Sequence, residues 1–147
     1  MNQVSAPSRG HGARALARKL ALQALYRWQI NPCPWQDLIG EFDLAEEAPR
    51  TDKAYFMEII RAIGEQRDAF DEQLSQWLDR PTADLDPIEH AVLWIGLAEL
   101  RGHPEVPFRV VITEAVGLAK RFGATDGHKY INAVMDKAAR ALRPHEH

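Results

Sequence analysis

The sequence predicts an all-α protein. Apolar residues recur at spacings of three and four through most of the chain, as one face of a helix requires. Helix start and stop signals punctuate that pattern, with Asp86-Pro87 and Val106-Pro107 at starts and Gly102-His103-Pro104 and Gly123 at stops. No segment alternates apolar and polar residues as a half-buried strand would. Val110-Val111-Ile112 is β-branched but lies inside a helical period.

Residues 1–12 are small, polar and rich in Gly and Pro, and read as a disordered, basic tail. Helical periodicity begins at Ala13 and runs to Ile30. Leu16, Leu20, Ala24 and Trp28 form a stripe widened by Ala17, Ala21 and Leu25, with Arg14, Arg18 and Lys19 off it. Asn31-Pro32 ends this helix. Pro34 to Phe42 reads as a short helix, and Asp43 to Arg50 as an acidic loop or frayed turn. Asp52 to Leu78 is the longest periodic segment, with a break expected near Gly64 and Arg67. Asp86-Pro87-Ile88-Glu89 combines a cap, a proline at the first helical position and a capping-box-like glutamate. The helix that follows is apolar on nearly every face and should be the most buried. Residues 107–137 read as two facing helices across a polar turn. Gly123 is expected to supply a left-handed stop, and Thr125 or Asp126 a cap. The last helix fades at Leu142-Arg143-Pro144, leaving 144–147 as a flexible tail. The expectation is one domain over 13–143 with five to seven helices.

The chain has 147 residues and 46% hydrophobic content, enough for a core. It has no apolar run near the ~20 residues that a membrane-spanning helix needs. The single cysteine, Cys33, excludes an internal disulfide framework, and the simplest reading is a reduced, cytoplasmic protein. The net charge of −3 hides an asymmetry. Residues 1–36 carry five basic and no acidic residues, whereas residues 37–89 carry fifteen acidic and five basic ones. Either two faces serve two partners, or the charges merely solvate helix surfaces.

Catalytic chemistry finds little support. Cys33 lies between two prolines with no identifiable base. The histidines lack the spacing of a helical zinc site, and no Gly-rich phosphate loop is present. No enzyme, metal or cofactor is expected. RNA binding uses more of the remaining residues. Arg14, Arg18 and Lys19 offer phosphate contacts, and Gln23 offers a base-edge contact about one turn on. Phe108 and Tyr130 either stack on unpaired bases, with Arg109 and Lys129 beside them, or belong to the core. Asp126 either accepts from a base amine or caps the last helix.

Three blocks then carry a resemblance. They are Leu22-Gln23-Ala24-Leu25-Tyr26 with Trp28-Gln29, Glu89-His90-Ala91-Val92-Leu93 through Glu99-Leu100, and a third block spread over Val106–Lys137. The third contains Ile112-Thr113-Glu114-Ala115-Val116 and Lys129-Tyr130-Ile131-Asn132-Ala133-Val134-Met135-Asp136-Lys137. Together they make the chain similar to the bacterial NusB family of transcription antitermination factors, over nearly all of residues 13–143. The resemblance implies two packed three-helix bundles. It implies binding to boxA, a short single-stranded element of ribosomal RNA leader transcripts, together with the ribosomal protein NusE. NusA, NusG and RNA polymerase complete the implied assembly.

By position, Arg14, Arg18, Gln23, Phe108, Arg109, Asp126, Lys129 and Tyr130 inherit the RNA role and Glu89 a NusE contact. The arginine run near Arg14 is thinner than family members often have, which implies weak RNA binding alone and stronger binding with NusE. A homodimer using Trp94 is the competing reading. A methyltransferase fragment is a third, since this fold also occurs at the start of a ribosomal RNA cytosine methyltransferase. The resemblance requires Phe108, Arg109 and the start of the last helix to line one RNA path, whereas a simple hairpin puts them at opposite ends.

Overall fold

The computed structural model describes the backbone of residues 5–146 and the side chains of residues 12–146. Among the described residues there are seven α-helices, four short 3-10 turns and no strand. The all-α expectation therefore holds. The chain forms two compact units, residues 1–65 and 66–147.

The first unit holds α1 (Ser5–Ile30), α2 (Gln36–Gly40) and α3 (Lys53–Glu65), with 3-10 turns at Phe42–Leu44 and Ala48–Arg50. Helix α1 starts eight residues before the periodicity does, so residues 5–12 are helical where a disordered tail was expected. Pro7 falls in the first turn, where its missing N–H leaves no helical bond unmade. The expectation for residues 1–4 lies outside the described residues. The buried face of α1 is centred on Ala17, Ala21, Leu25 and Trp28, while Leu16 and Ala24 are only half-buried. Alanines weigh little in a hydropathy stripe yet admit the closest helix approach, so the stripe drawn through the leucines is rotated from the real one. The five-residue α2 sits against α3, where a Cβ on Gly64 would collide with the Trp35 ring. Asp52 caps α3 by accepting the Tyr55 N–H at 3.0 Å.

The second unit holds α4 (Arg67–Ser75), α5 (Pro87–Gly102), α6 (Phe108–Phe122) and α7 (Gly127–Leu142), with 3-10 turns at Thr82–Asp84 and Pro144–Glu146. The expected break falls at Gln66, whose φ of −136° and ψ of 38° leave the helical region. The seven α-helices fall within the expected number, three in the first unit and four in the second. Helix α5 packs against α4, α6 and α7, and every residue from Glu89 to Leu100 is buried. Its start is as the sequence indicates: Asp86 Oδ1 accepts the Ile88 N–H at 2.7 Å and the Glu89 N–H at 3.2 Å.

Helices α6 and α7 pack as an antiparallel hairpin. Its turn departs from expectation. Gly123 is extended, at φ −93° and ψ −179°, and the left-handed residue is Asp126, at φ 69°. Glycine is needed at 123 for closeness, because a Cβ there would lie 2.8 Å from the Ala119 carbonyl oxygen. Aspartate is among the few residues that tolerate the left-handed region. Residues 144–146 are not loose either, because the Glu146 carboxylate accepts the Phe108 N–H at 3.1 Å. No helix among the described residues is long and apolar enough to cross a membrane.

Candidate nucleic-acid interface

In the first unit three basic residues of α1 meet carboxylates of the acidic segment. Lys19 Nζ lies 2.6 Å from Glu47 Oε2 and Arg14 Nε lies 3.6 Å from Asp52 Oδ2. Arg27 pairs with Glu41 at 2.9 Å and Lys53 with Asp43 at 3.3 Å. The Lys19 hydrogen bond is the main reason the Glu47 carboxyl titrates below the ordinary glutamate range. Of the two readings of the charge asymmetry, separate basic and acidic faces find less support within this unit, because much of the charge is answered internally.

Arg18 is buried, where a surface position off the apolar stripe was expected. It is only 3% exposed, with its guanidinium 5.6 Å from the centre of the Tyr55 ring, while the Arg14 guanidinium lies 4.3 Å from the same centre. Tyr55 is itself buried, so Arg18 belongs to the packing of α1 on α3 and is not placed for a phosphate contact. Gln23 is exposed, and beside it lies an open hollow of about 200 Å³ lined by Leu20, Ala24, Arg27, Glu41 and Phe42.

In the second unit the starts of α5 and α7 meet. Gly127, the first residue of α7, lies so close to α5 that a Cβ would come 2.6 Å from Glu89 Oε2. Glu89 is 8% exposed. Burial first, and the nearby Asp86 carboxylate second, push its carboxyl above the ordinary range, with Arg80 opposing them. Its carboxylate is turned to Gly127, away from the capping-box role expected for it. One turn along α7, the Tyr130 hydroxyl accepts the Asp79 N–H at 3.3 Å. The Arg80 guanidinium covers the Tyr130 ring, 4.1 Å from its centre, and Arg80 Nε pairs with Asp79 Oδ1 at 2.8 Å. Lys129 and Asp126 are well exposed and 3.4 Å apart. The Asp126 side chain makes no capping bond. The candidate partner residue Glu89 and the RNA candidates Asp126, Lys129 and Tyr130 thus share one end of this unit.

The other end holds Phe108 and Arg109. The hairpin is antiparallel and α6 has 15 residues, so about 20 Å separates Phe108 from the α7 start. Phe108 is 8% exposed and belongs to the core side of its two readings, with its N–H bonded to Glu146. Arg109 is exposed, its guanidinium 5.5 Å from the Phe108 ring centre. Arg143 secures this end. It is buried and donates to the carbonyls of Glu99, Leu100, His103 and Val106.

Trp94, offered for a dimer surface, is 0% exposed. Its indole N–H donates to Asp71 Oδ1 at 2.8 Å, His90 Nε2 meets the same oxygen at 2.7 Å, and the His90 ring lies over the indole at 4.2 Å. A fully buried indole cannot present itself to a second copy, so the dimer reading loses the residue named for it. A candidate that the sequence pattern does not single out is Arg80, just past the end of the Asp52–Leu78 periodic segment. No local pattern marks it, since Asp79 and Tyr130 are 51 positions apart. No group of three or more metal-ligating side chains occurs among the described residues.

The comparisons with known proteins agree with this architecture. A sequence model described as the NusB family matches residues 15–140. A protein of Idiomarina loihiensis named transcription antitermination protein NusB is 44% identical over 132 residues, covering 90% of this chain and 95% of the relative. One of the same name from Hydrogenovibrio crunogenus is 43% identical over 141 residues, covering 96% and 88%. The solved structure of T. maritima NusB superposes with a TM-score of 0.78 at 24% identity, covering 90% of this chain and 95% of that one, which shows a shared fold.

Proposed function

Because the chain belongs to the NusB family, we propose that it is a transcription antitermination factor that binds boxA RNA together with NusE. In this reading the pair joins NusA, NusG and RNA polymerase to suppress termination. The observation that carries the proposal is the joint end of α5 and α7. There an exposed cation, Lys129, and a half-buried aromatic ring, Tyr130, stand beside the buried acid Glu89. Single-stranded RNA is recognised by such a mixture of phosphate-neutralising cations and stacking surfaces. A basic ribosomal protein complements the acid.

The RNA-facing set is Arg14, Lys19, Gln23, Arg109, Asp126, Lys129 and Tyr130, and Glu89 is assigned to NusE. Arg18 and Phe108 support these surfaces from within. An extended strand running along the α6–α7 hairpin accommodates the separation of Arg109 from Lys129, which a single nucleotide does not.

The test is a boxA titration with and without NusE, repeated on Lys129→Ala. We expect weak binding alone, a clear gain with NusE and a loss in the variant. Tight NusE-independent binding near physiological salt would refute the cooperative part, and an unaffected variant would remove this site.

A further inference from the structure

We propose that Arg80 supplies the surface on which a nucleobase stacks, with Tyr130 as its support rather than as the stacking face. This rests on the RNA-binding reading above and deepens it. The guanidinium lies 4.1 Å from the ring centre and therefore covers a face of Tyr130. A base approaching that face meets Arg80 first. Two contacts hold the arrangement: Asp79 Oδ1 pairs with Arg80 Nε at 2.8 Å, and the Asp79 N–H is donated to the Tyr130 hydroxyl at 3.3 Å. The residue before Arg80 thus fixes the guanidinium from one side and the ring from the other.

The same geometry chooses between a base and a phosphate as the ligand. A phosphate contact at Arg80 would have to compete with a close carboxylate partner. The Arg80 side chain is 40% exposed, but its charge is already neutralised by an adjacent carboxylate. What remains available is a flat, weakly hydrated plane backed by an aromatic ring, which suits the π-face of an unpaired base. Lys129, one residue from Tyr130, has a longer and more exposed pair, 3.4 Å to Asp126, and is the cation for the backbone of the same nucleotide. The ligand class is therefore an unstacked nucleobase of single-stranded RNA. The interaction tolerates base identity, since every base has a π-face.

The test measures binding of single-stranded boxA RNA to the full chain with NusE. It compares the unaltered protein with Arg80→Lys and Arg80→Ala, on intact RNA and on RNAs with one abasic position each. Lysine keeps the charge and loses the plane. Both variants should lose affinity by about tenfold, with an unchanged salt slope. One abasic position should cost the unaltered protein a similar factor and cost Arg80→Ala almost nothing more. Full affinity in Arg80→Lys would identify a charge contact and overturn the proposal. So would a uniform loss at every abasic position, which marks a purely structural role. Full affinity in Arg80→Ala overturns the stacking role alone. Failure of the unaltered protein to bind the RNA overturns the RNA reading itself.

Discussion

Lys19 and Glu47 are 28 positions apart in the chain, and their charged atoms meet at 2.6 Å. An RNA phosphate approaching this part of α1 must compete with a carboxylate of the same unit. Glu47→Gln should therefore strengthen RNA binding. It should also steepen the dependence of log K on log salt by up to about 0.7 for the one cation released on a single strand. Titrations at several salt concentrations check this. An unchanged slope would place Lys19 outside the RNA path.

Arg18 should behave in the opposite way. Its guanidinium is buried beside the Tyr55 ring, so Arg18→Ala removes packing and a cation–π contact of about 0.5–2 kcal/mol. Thermal unfolding should shift down, while the salt slope of RNA binding stays that of the unaltered protein. A shallower slope without a loss of Tm would return Arg18 to the phosphate contacts.

Asp71 joins His90 and Trp94 inside the second unit. Burial pushes its carboxyl up, but the hydrogen bond and charge of His90, the Trp94 donor and Arg67 outweigh that, and it titrates below the ordinary range. A depressed carboxyl contributes stability above its unfolded value, and that stability is lost as pH falls through the folded one. Asp71→Ala should cost roughly 1–3 kcal/mol at neutral pH by stranding a buried indole N–H, and should flatten the acid side of a Tm–pH profile. Trp94→Ala should cost more, about 3–5 kcal/mol, with no specific change in sedimentation.

Glu89 has the reverse sign. Burial and then the Asp86 carboxylate raise its carboxyl. Its contribution is thus fully present below the unfolded value, about pH 4.3, and is lost as pH rises through the folded one. Glu89→Gln should raise Tm at pH 7 and leave it unchanged near about pH 4. If NusE binding falls in the same variant, this carboxylate serves recognition at the expense of stability. An equal or lower Tm at pH 7 would show that Glu89 is satisfied in the fold.

Much of this architecture was legible in the residues alone, and the reason is local. Helix periodicity, the Asp86-Pro87 start and the break near Gly64 depend on near neighbours in the chain, and so did the burial of α5, apolar on nearly every face. The motif block around Lys129-Tyr130-Ile131 was equally readable because it is contiguous, and it led to the family. What the sequence left open depended on residues far apart. Whether Lys19 is free depends on Glu47, and whether Trp94 is exposed depends on Asp71 and the packing of four helices. Arg18 looked like surface because the alanines that bury its side of α1 carry little hydropathy. Tyr130 stayed open between a stacking face and the core, because nothing near it in sequence announces Arg80. Periodicity reports which face of a helix is apolar. Only the tertiary structure decides what lies against that face, because charges and rings are partnered across loops by distance in space.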